Sequence, residues 1–167
     1  MRPAGRSNAV TPTIGRIDIT PMSQDEAEEI AGWRYVPPYD FYDVDADQRD
    51  LAELLEPVGR GDRYYSAHNA ARELIGFFEL RNAGDVVVVG LGLRPDLTGH
   101  RLGQSFLEAG LAFAREQFAP SHFKLSVAEF NTRAITVYER AGFVRTRTFM
   151  HETNGGLFSF VEMERPS

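Results

Sequence analysis

Hydrophobic and polar positions change period several times along the chain, and each change marks an element. Ile17, Asp18, Ile19 and Thr20 alternate, which predicts a strand at 17–20 that Pro21 ends. Ser23, followed three residues later by Glu26, is a capping-box signal for a helix reaching Trp33 and burying Ala27, Ile30 and Ala31. Pro37-Pro38 then breaks the pattern inside an aromatic stretch made of Tyr35, Tyr39, Phe41 and Tyr42. A second helix is expected at 47–55, before Pro57, and a turn at 59–62. Three strands follow at 64–68, 74–80 and 86–93, with turns at 69–72 and 82–84. Links this short predict an antiparallel meander.

Leu102, Phe106, Leu107, Gly110, Leu111, Ala114 and Phe118 recur at helical spacing, so a long helix is predicted over 102–118, closed by Pro120. A strand at 123–130 comes next. Asn131 can cap a helix over 132–140, with Gly142 as its C-terminal glycine. Two last strands, at 144–152 and 157–164, flank a turn at Asn154-Gly155-Gly156. The order predicts an α+β fold with a mixed, mostly antiparallel central sheet, in which the strand–helix–strand unit 86–130 supplies one parallel pair. With no repeat and no internal linker, residues 17–165 read as a single domain behind a polar N-terminal arm at 1–16, expected to be flexible.

Composition narrows the function. The 167 residues suffice for one domain with its own core, and 43% hydrophobic with 25% charged residues is ordinary for a globular protein. No apolar run is long enough for a membrane span, and the N-terminus lacks a signal-peptide core, so a cytoplasmic protein is expected. The absence of cysteine excludes disulfides and thiolate chemistry. His68, His100, His122 and His151 are scattered, so no metal site is predicted. A net charge of −6 disfavours nucleic acid as a partner. It leaves room for a local cationic patch.

The chemistry concentrates between Val86 and Gly103. The run Val86-Val87-Val88-Val89 is a buried strand interrupted by Gly90 and Gly92, which predicts a bulge that frees N–H groups for a ligand. Thr98-Gly99-His100-Arg101-Leu102-Gly103 then leads into the long helix. A glycine-bearing loop at a helix N-terminus presents unpaired N–H groups and the positive end of the helix dipole, an anion site to which His100 and Arg101 add donors. Farther on, Asn131, Ile135 and Tyr138 share one helix face. Alone, Asn131 reads as a cap and Tyr138 as a core aromatic.

Taken together, these segments resemble the GCN5-related N-acetyltransferase (GNAT) superfamily. Its signature, Gln/Arg-x-x-Gly-x-Gly/Ala after a strand ending in a Val/Leu-x-Pro turn, maps onto Leu93-Arg94-Pro95 and Thr98 to Gly103. A second motif, Asn and Ala before an aromatic-bearing helix that ends in Gly-Phe, maps onto Asn131, Ala134, Tyr138 and Gly142-Phe143. The element order matches along residues 17–164. Two positions depart from the pattern: Thr98 stands where the signature has Gln or Arg, and Arg101 stands where it has glycine. Arginine resists positive φ, so a helical conformation is expected at Arg101.

The resemblance implies a single-domain sheet with helices on both faces and a splayed strand pair holding acetyl-CoA. It implies backbone contacts from Leu91, Gly92 and Leu93 to the acyl arm. The loop of Thr98, Gly99, His100, Arg101, Leu102, Gly103 and Gln104 would hold the pyrophosphate, and Asn131 would contact the pantetheine. Tyr138 would act as the acid for the leaving thiolate. Glu79 is the first candidate for the base, equally readable as a carboxylate paired with Arg81; Glu129 is a weaker second. Tyr35, Tyr39, Phe41 and Tyr42, together with 151–156, could wall the acceptor site or simply pack.

The expected function is acetyl transfer from acetyl-CoA to a primary amine of a small or amino-acid-like molecule. Acetylation of protein N-termini or lysines is the alternative within this chemistry, and a non-catalytic acyl-CoA-sensing module is the alternative outside it. The superfamily's frequent dimers leave a homodimer open.

Overall fold

The computed structural model describes residues 14–167; residues 1–13, most of the predicted arm, lie outside the described residues. Ile14, from the same arm, packs against the main core. The described chain forms β1 (Asp18–Pro21), α1 (Gln24–Ala31), α2 (Gln48–Leu55), α3 (Pro57–Arg60), β2 (Tyr64–His68), β3 (Leu74–Ala83), β4 (Val86–Leu93), α4 (Gly103–Phe118), β5 (His122–Ala128), α5 (Thr132–Arg140), β6 (Val144–Thr153) and β7 (Gly156–Pro166). Between α1 and α2 the aromatic stretch makes two short 3₁₀ turns, Tyr39–Tyr42 and Val44–Ala46.

Local chemistry sets these bounds. The α1 capping box forms as expected: Ser23 Oγ accepts from Glu26 N–H, and Glu26 Oε2 accepts from Ser23 N–H. Asp47 caps α2 through Arg49 N–H, and Asn131 caps α5 through Ala134 N–H. The β6–β7 hairpin closes on Asn154 and Gly155, at φ 51° and 72°, with Thr153 facing Gly156. Two residues at positive φ match the twist of a two-residue hairpin. The expected turn at 59–62 instead begins with α3, which Pro57 starts at a position where its missing N–H costs nothing.

The seven strands order as β1-β2-β3-β4-β5-β7-β6. Every neighbouring pair is antiparallel except β4 and β5. Their parallel ladder runs only from Val86↔His122 to Val88↔Lys124, so the two strands part beyond it. On one face α4 and α5 cover the larger core, where Phe78 stacks on Phe106 with ring centroids 4.5 Å apart. On the other, α1 and α2 bury Ala27, Ile30, Trp33 and Leu54, with Phe77 packed against them. Truncating Phe78 would remove about 3–5 kcal/mol of stability.

The expected bulge does not form. Gly90 and Gly92 do not bulge β4: its register with β3 is constant from Ala83↔Val86 to Gly76↔Leu93. Gly92 lacks a side chain because the ring of Phe77, its cross-strand partner, occupies that space. A Cβ there would come within 2.3 Å of the ring.

Candidate functional site

The parting of β4 from β5 decides which backbone groups are available to a ligand. Arg94 N–H bonds Ile75 C=O at 2.8 Å, which fixes the alternation of the β3–β4 ladder. Even-numbered residues of β4 therefore turn their polar backbone groups to β3, and odd-numbered ones turn away. Leu91 and Leu93 face the opening. Gly92 faces Phe77, so its backbone is engaged in the sheet rather than in the opening. On the other limb, Glu129 N–H bonds Ser159 C=O, so Ser126 and Ala128 face the opening. The free N–H groups assigned to a bulge thus arise from strand divergence.

The aromatic segment reaches both limbs. Tyr35 donates its hydroxyl to Leu93 C=O at 2.8 Å, and Tyr42 Oη accepts from Ala128 N–H at 3.2 Å. Burial raises the Tyr42 phenol above its ordinary value, against the opposing effect of Asn131 and the Ala128 N–H at its oxygen. Of the other two aromatics, Tyr39 stacks under Arg133, whose guanidinium carbon lies 3.8 Å from the ring centroid, while Phe41 packs edge-on against Tyr42, Phe130 and Phe158.

Beyond Leu93 the chain turns through Pro95–Leu97, where Thr98 closes the turn on Pro95 C=O. Gly99 has φ 77°, and Arg101 has φ 60°. The arginine is therefore left-handed rather than helical, which reverses the expectation. It holds the backbone conformation that the signature's glycine takes without strain. His100 and Arg101 are exposed at the tip, and buried Leu102 precedes α4. No side chain caps the α4 N-terminus. Its first N–H groups, those of Gly103 and Gln104 included, are open to an anion.

Tyr138, on α5, packs edge-on to Phe143. Burial, then the neighbouring Tyr42, pushes its phenol well above the usual tyrosine value. Its hydroxyl has no hydrogen-bond partner among the described residues, and it is not among the sealed polar atoms. Asn131, buried at the head of the same helix, spends its side-chain oxygen on the cap.

A cavity of about 240 Å³ lies under the aromatic segment, walled by Phe41, Tyr42, Tyr64, Phe77 and Phe160. Tyr35 and Tyr39 do not line it. His151, Thr153 and Asn154 do, as expected of the last hairpin. Glu79 also lines it, beside Gly90. The paired reading of Glu79 is the one seen: its carboxylate accepts from Arg81 at 2.6 Å and lies 4.0 Å from Arg63, at the cavity wall. Glu129 instead accepts from Ser159 outside the cavity. Asp50, absent from the sequence-based candidates, is a further wall residue. Its only sequence signal was a position one turn before Leu54, which is equally that of a solvated helix face. Among the described residues no cluster of histidines and carboxylates could hold a metal, and no helix is long and apolar enough to cross a membrane.

Comparison with known proteins agrees with this geometry. Over 98 residues, 54% of this chain, the sequence is 44% identical to a mycothiol acetyltransferase of Salinispora tropica. Over 102 residues it is 38% identical to that of Geodermatophilus obscurus. The chain spans about a third of the length of these relatives, 31% and 32%. Among solved structures, a GNAT-family acetyltransferase from Bacillus anthracis superposes with a TM-score of 0.72 at 12% identity, covering 92% of this chain and 96% of its own. Spermidine N-acetyltransferase from Vibrio cholerae, in complex with CoA and spermine, superposes with a TM-score of 0.71 at 17% identity, over 90% and 95% of the two chains. The family model described as "Acetyltransferase (GNAT) family" matches residues 25–143, which include the diverging strands, the uncapped helix and the Tyr138 helix, and the chain therefore belongs to the GNAT family of acetyltransferases.

Proposed function

We propose that the chain transfers an acetyl group from acetyl-CoA directly to a primary amine of a small or amino-acid-like molecule. The observation that carries this reading is the opening between β4 and β5. It leaves the Leu91 backbone and the Leu93 N–H free on one limb, the Leu93 C=O being taken by Tyr35; β4 leads on to the uncapped α4 N-terminus; and Tyr42, bonded to the other limb, neighbours Tyr138 and lines the cavity. A thioester arm suits the opening, and its pyrophosphate suits the helix terminus at Gly99 to Gln104. The odd-numbered N–H groups can stabilise the oxyanion formed when the amine attacks. A phenol is protonated at neutral pH, so Tyr138 can share its proton with the departing thiolate, although the burial that raises its pKa makes it a weaker acid.

The amine must arrive neutral or lose its proton nearby, because an alkyl ammonium of pKa about 10.4 is mostly charged at pH 7. Glu79 faces the cavity and is the assigned base, directly or through a water. A half-open cavity of about 240 Å³ has room for a small acceptor, which is the reading preferred to a protein N-terminus or lysine. The retained Tyr138 favours turnover over sensing alone. The relatives named mycothiol acetyltransferase are consistent with acetyl transfer, and the structural neighbour named spermidine N-acetyltransferase with an amine acceptor. Release of CoA thiol with a panel of small amines, amino acids and peptides tests the reading: release with small amines supports it, and release with no member sinks it.

A further inference from the structure

The cavity wall has a charge pattern that the acetyl-transfer reading alone does not use. Besides Tyr42 and Tyr64, its ionisable lining is Asp43, Asp50, Glu79 and His151, with no lysine or arginine. Two of the three carboxylates are already engaged. Asp43 accepts from Tyr35 N–H and lies 4.0 Å from Arg34. Glu79 is paired with Arg81. Among the described residues, Asp50 is only partly buried and has no hydrogen bond and no ion pair; Asp47, Glu53 and Glu79 are its near like charges, and Arg49 is the one opposing charge near it. Burial, then these like charges, raises its carboxyl above the ordinary aspartate value. Removal of surrounding water and repulsion from neighbours are both relieved when a cation binds.

Position separates this carboxylate from the reacting end. Tyr64, Glu79 and Gly90 lie in register in one row across β2, β3 and β4. Gly90 and Tyr42 mark the end that meets the strand opening. Tyr64 marks the other end, where its hydroxyl donates to Glu53 of α2, the helix that also carries Asp50. One to two strand spacings, roughly 5–10 Å, therefore separate the opening from the acidic end. A fixed anion is a poor partner for the nitrogen that must lose its proton to attack. It is a good partner for a charge that stays. The rings of Tyr64 and Phe77 can also receive a cation.

Resting on the acetyl-transfer reading, we infer that the acceptor is an elongated amine bearing a second cationic group, roughly 5–10 Å from the reacting nitrogen, that Asp50 receives. The test compares diaminobutane, diaminopentane and diaminohexane with the amino alcohols of the same length, in the wild type and in Asp50→Asn. Transfer is read as kcat/KM. Acceptor binding is read separately, by calorimetry in the presence of CoA. The wild type is expected to prefer the diamine by about tenfold or more, the scale of one charged hydrogen bond, and Asp50→Asn to bring the ratio near one. Acetyl-CoA affinity and the melting temperature should stay close to wild type in the variant, since the change relieves repulsion. Equal use of diamine and amino alcohol by the wild type overturns the inference, as does a preference that survives Asp50→Asn; in both cases transfer to amines still stands. Diamine binding that depends on Asp50 without transfer to any amine instead supports the cation site and removes the acetyl-transfer reading.

Discussion

Arg101 shows how one residue can keep a backbone conformation while departing from a motif. Its φ of 60° is the glycine-like value, and a non-glycine residue held there costs roughly 1–2 kcal/mol. Arg101→Gly is therefore expected to raise stability by about 1 kcal/mol or less, because glycine also loses more chain entropy on folding. If the proposed pyrophosphate site at this loop holds, the same variant should weaken acetyl-CoA binding several-fold through loss of its cation. Denaturant melts and calorimetry read the two effects independently. Gly103→Asp separates them in the same way. A Cβ at Gly103 meets Val137 at an ordinary 3.5 Å, and an acid in the first turn suits the helix dipole, so the fold should hold. Acetyl-CoA affinity should fall tenfold or more through repulsion of the pyrophosphate. At Tyr138, conversion to Phe keeps the edge-on contact with Phe143 and removes only the hydroxyl, the proton donor. Turnover should drop about 10- to 100-fold with acetyl-CoA affinity unchanged, and an unaltered kcat would remove Tyr138 from the chemistry.

At the scale of elements, two carboxylates fasten α1 and α2 to the rest of the fold. Asp47 caps α2 and also accepts from Asn154 N–H, while Asn154 donates to Phe41 C=O, so the aromatic segment, α2 and the β6–β7 turn are fastened together. The N–H groups of Arg49 and Asn154 hold the Asp47 carboxyl down at about 2. Asp47→Ala should cost about 1–2 kcal/mol and raise the acceptor KM more than it lowers kcat. Glu26 is the second carboxylate. Burial works to raise its carboxyl, but bonds from Ser23 and Ser66, and then His68, leave it below the ordinary value. A lowered folded-state pKa stabilises above the unfolded value and is lost as pH falls through the folded one. Glu26→Ala should thus be less stable than wild type by about 1 kcal/mol at neutral pH, with the gap narrowing below about pH 4, as urea melts across pH will read. The capping box was legible in the sequence because cap chemistry is local. The bond from Asp47 to Asn154, 107 residues away, was not, because it depends on where the hairpin lands. The same limit hid Asp50. It also turned Gly90 and Gly92 into an apparent bulge, since the sequence shows that a side chain is missing but not that, at Gly92, the ring of Phe77 fills the gap.

For the molecule as a whole, the sheet is continuous everywhere except along the seam between β4 and β5. Two strands joined over only three register pairs leave the rest of the contact to whatever lies between them. The aromatic segment supplies part of it, through Tyr35 on one limb and Tyr42 on the other. The remaining groups, at Leu91, Leu93 and Ser126, face open space. A ligand that bonds them completes the sheet rather than merely occupying a pocket, so its binding must appear as local protection. In the free protein the N–H groups of Leu91, Leu93 and Ser126 should exchange with solvent far faster than those of Val87 and Lys124, which the parallel ladder holds. Saturating acetyl-CoA should slow the first set at least tenfold and change the second little beyond the global gain. That gain is about 2.7 kcal/mol at a ligand concentration a hundred times Kd, a rise in melting temperature of roughly 5–11 °C for a domain of this size. Protection spread evenly over all five positions would mean that the ligand stabilises the fold without lying in the seam, and the phosphate loop would then have to hold it from outside.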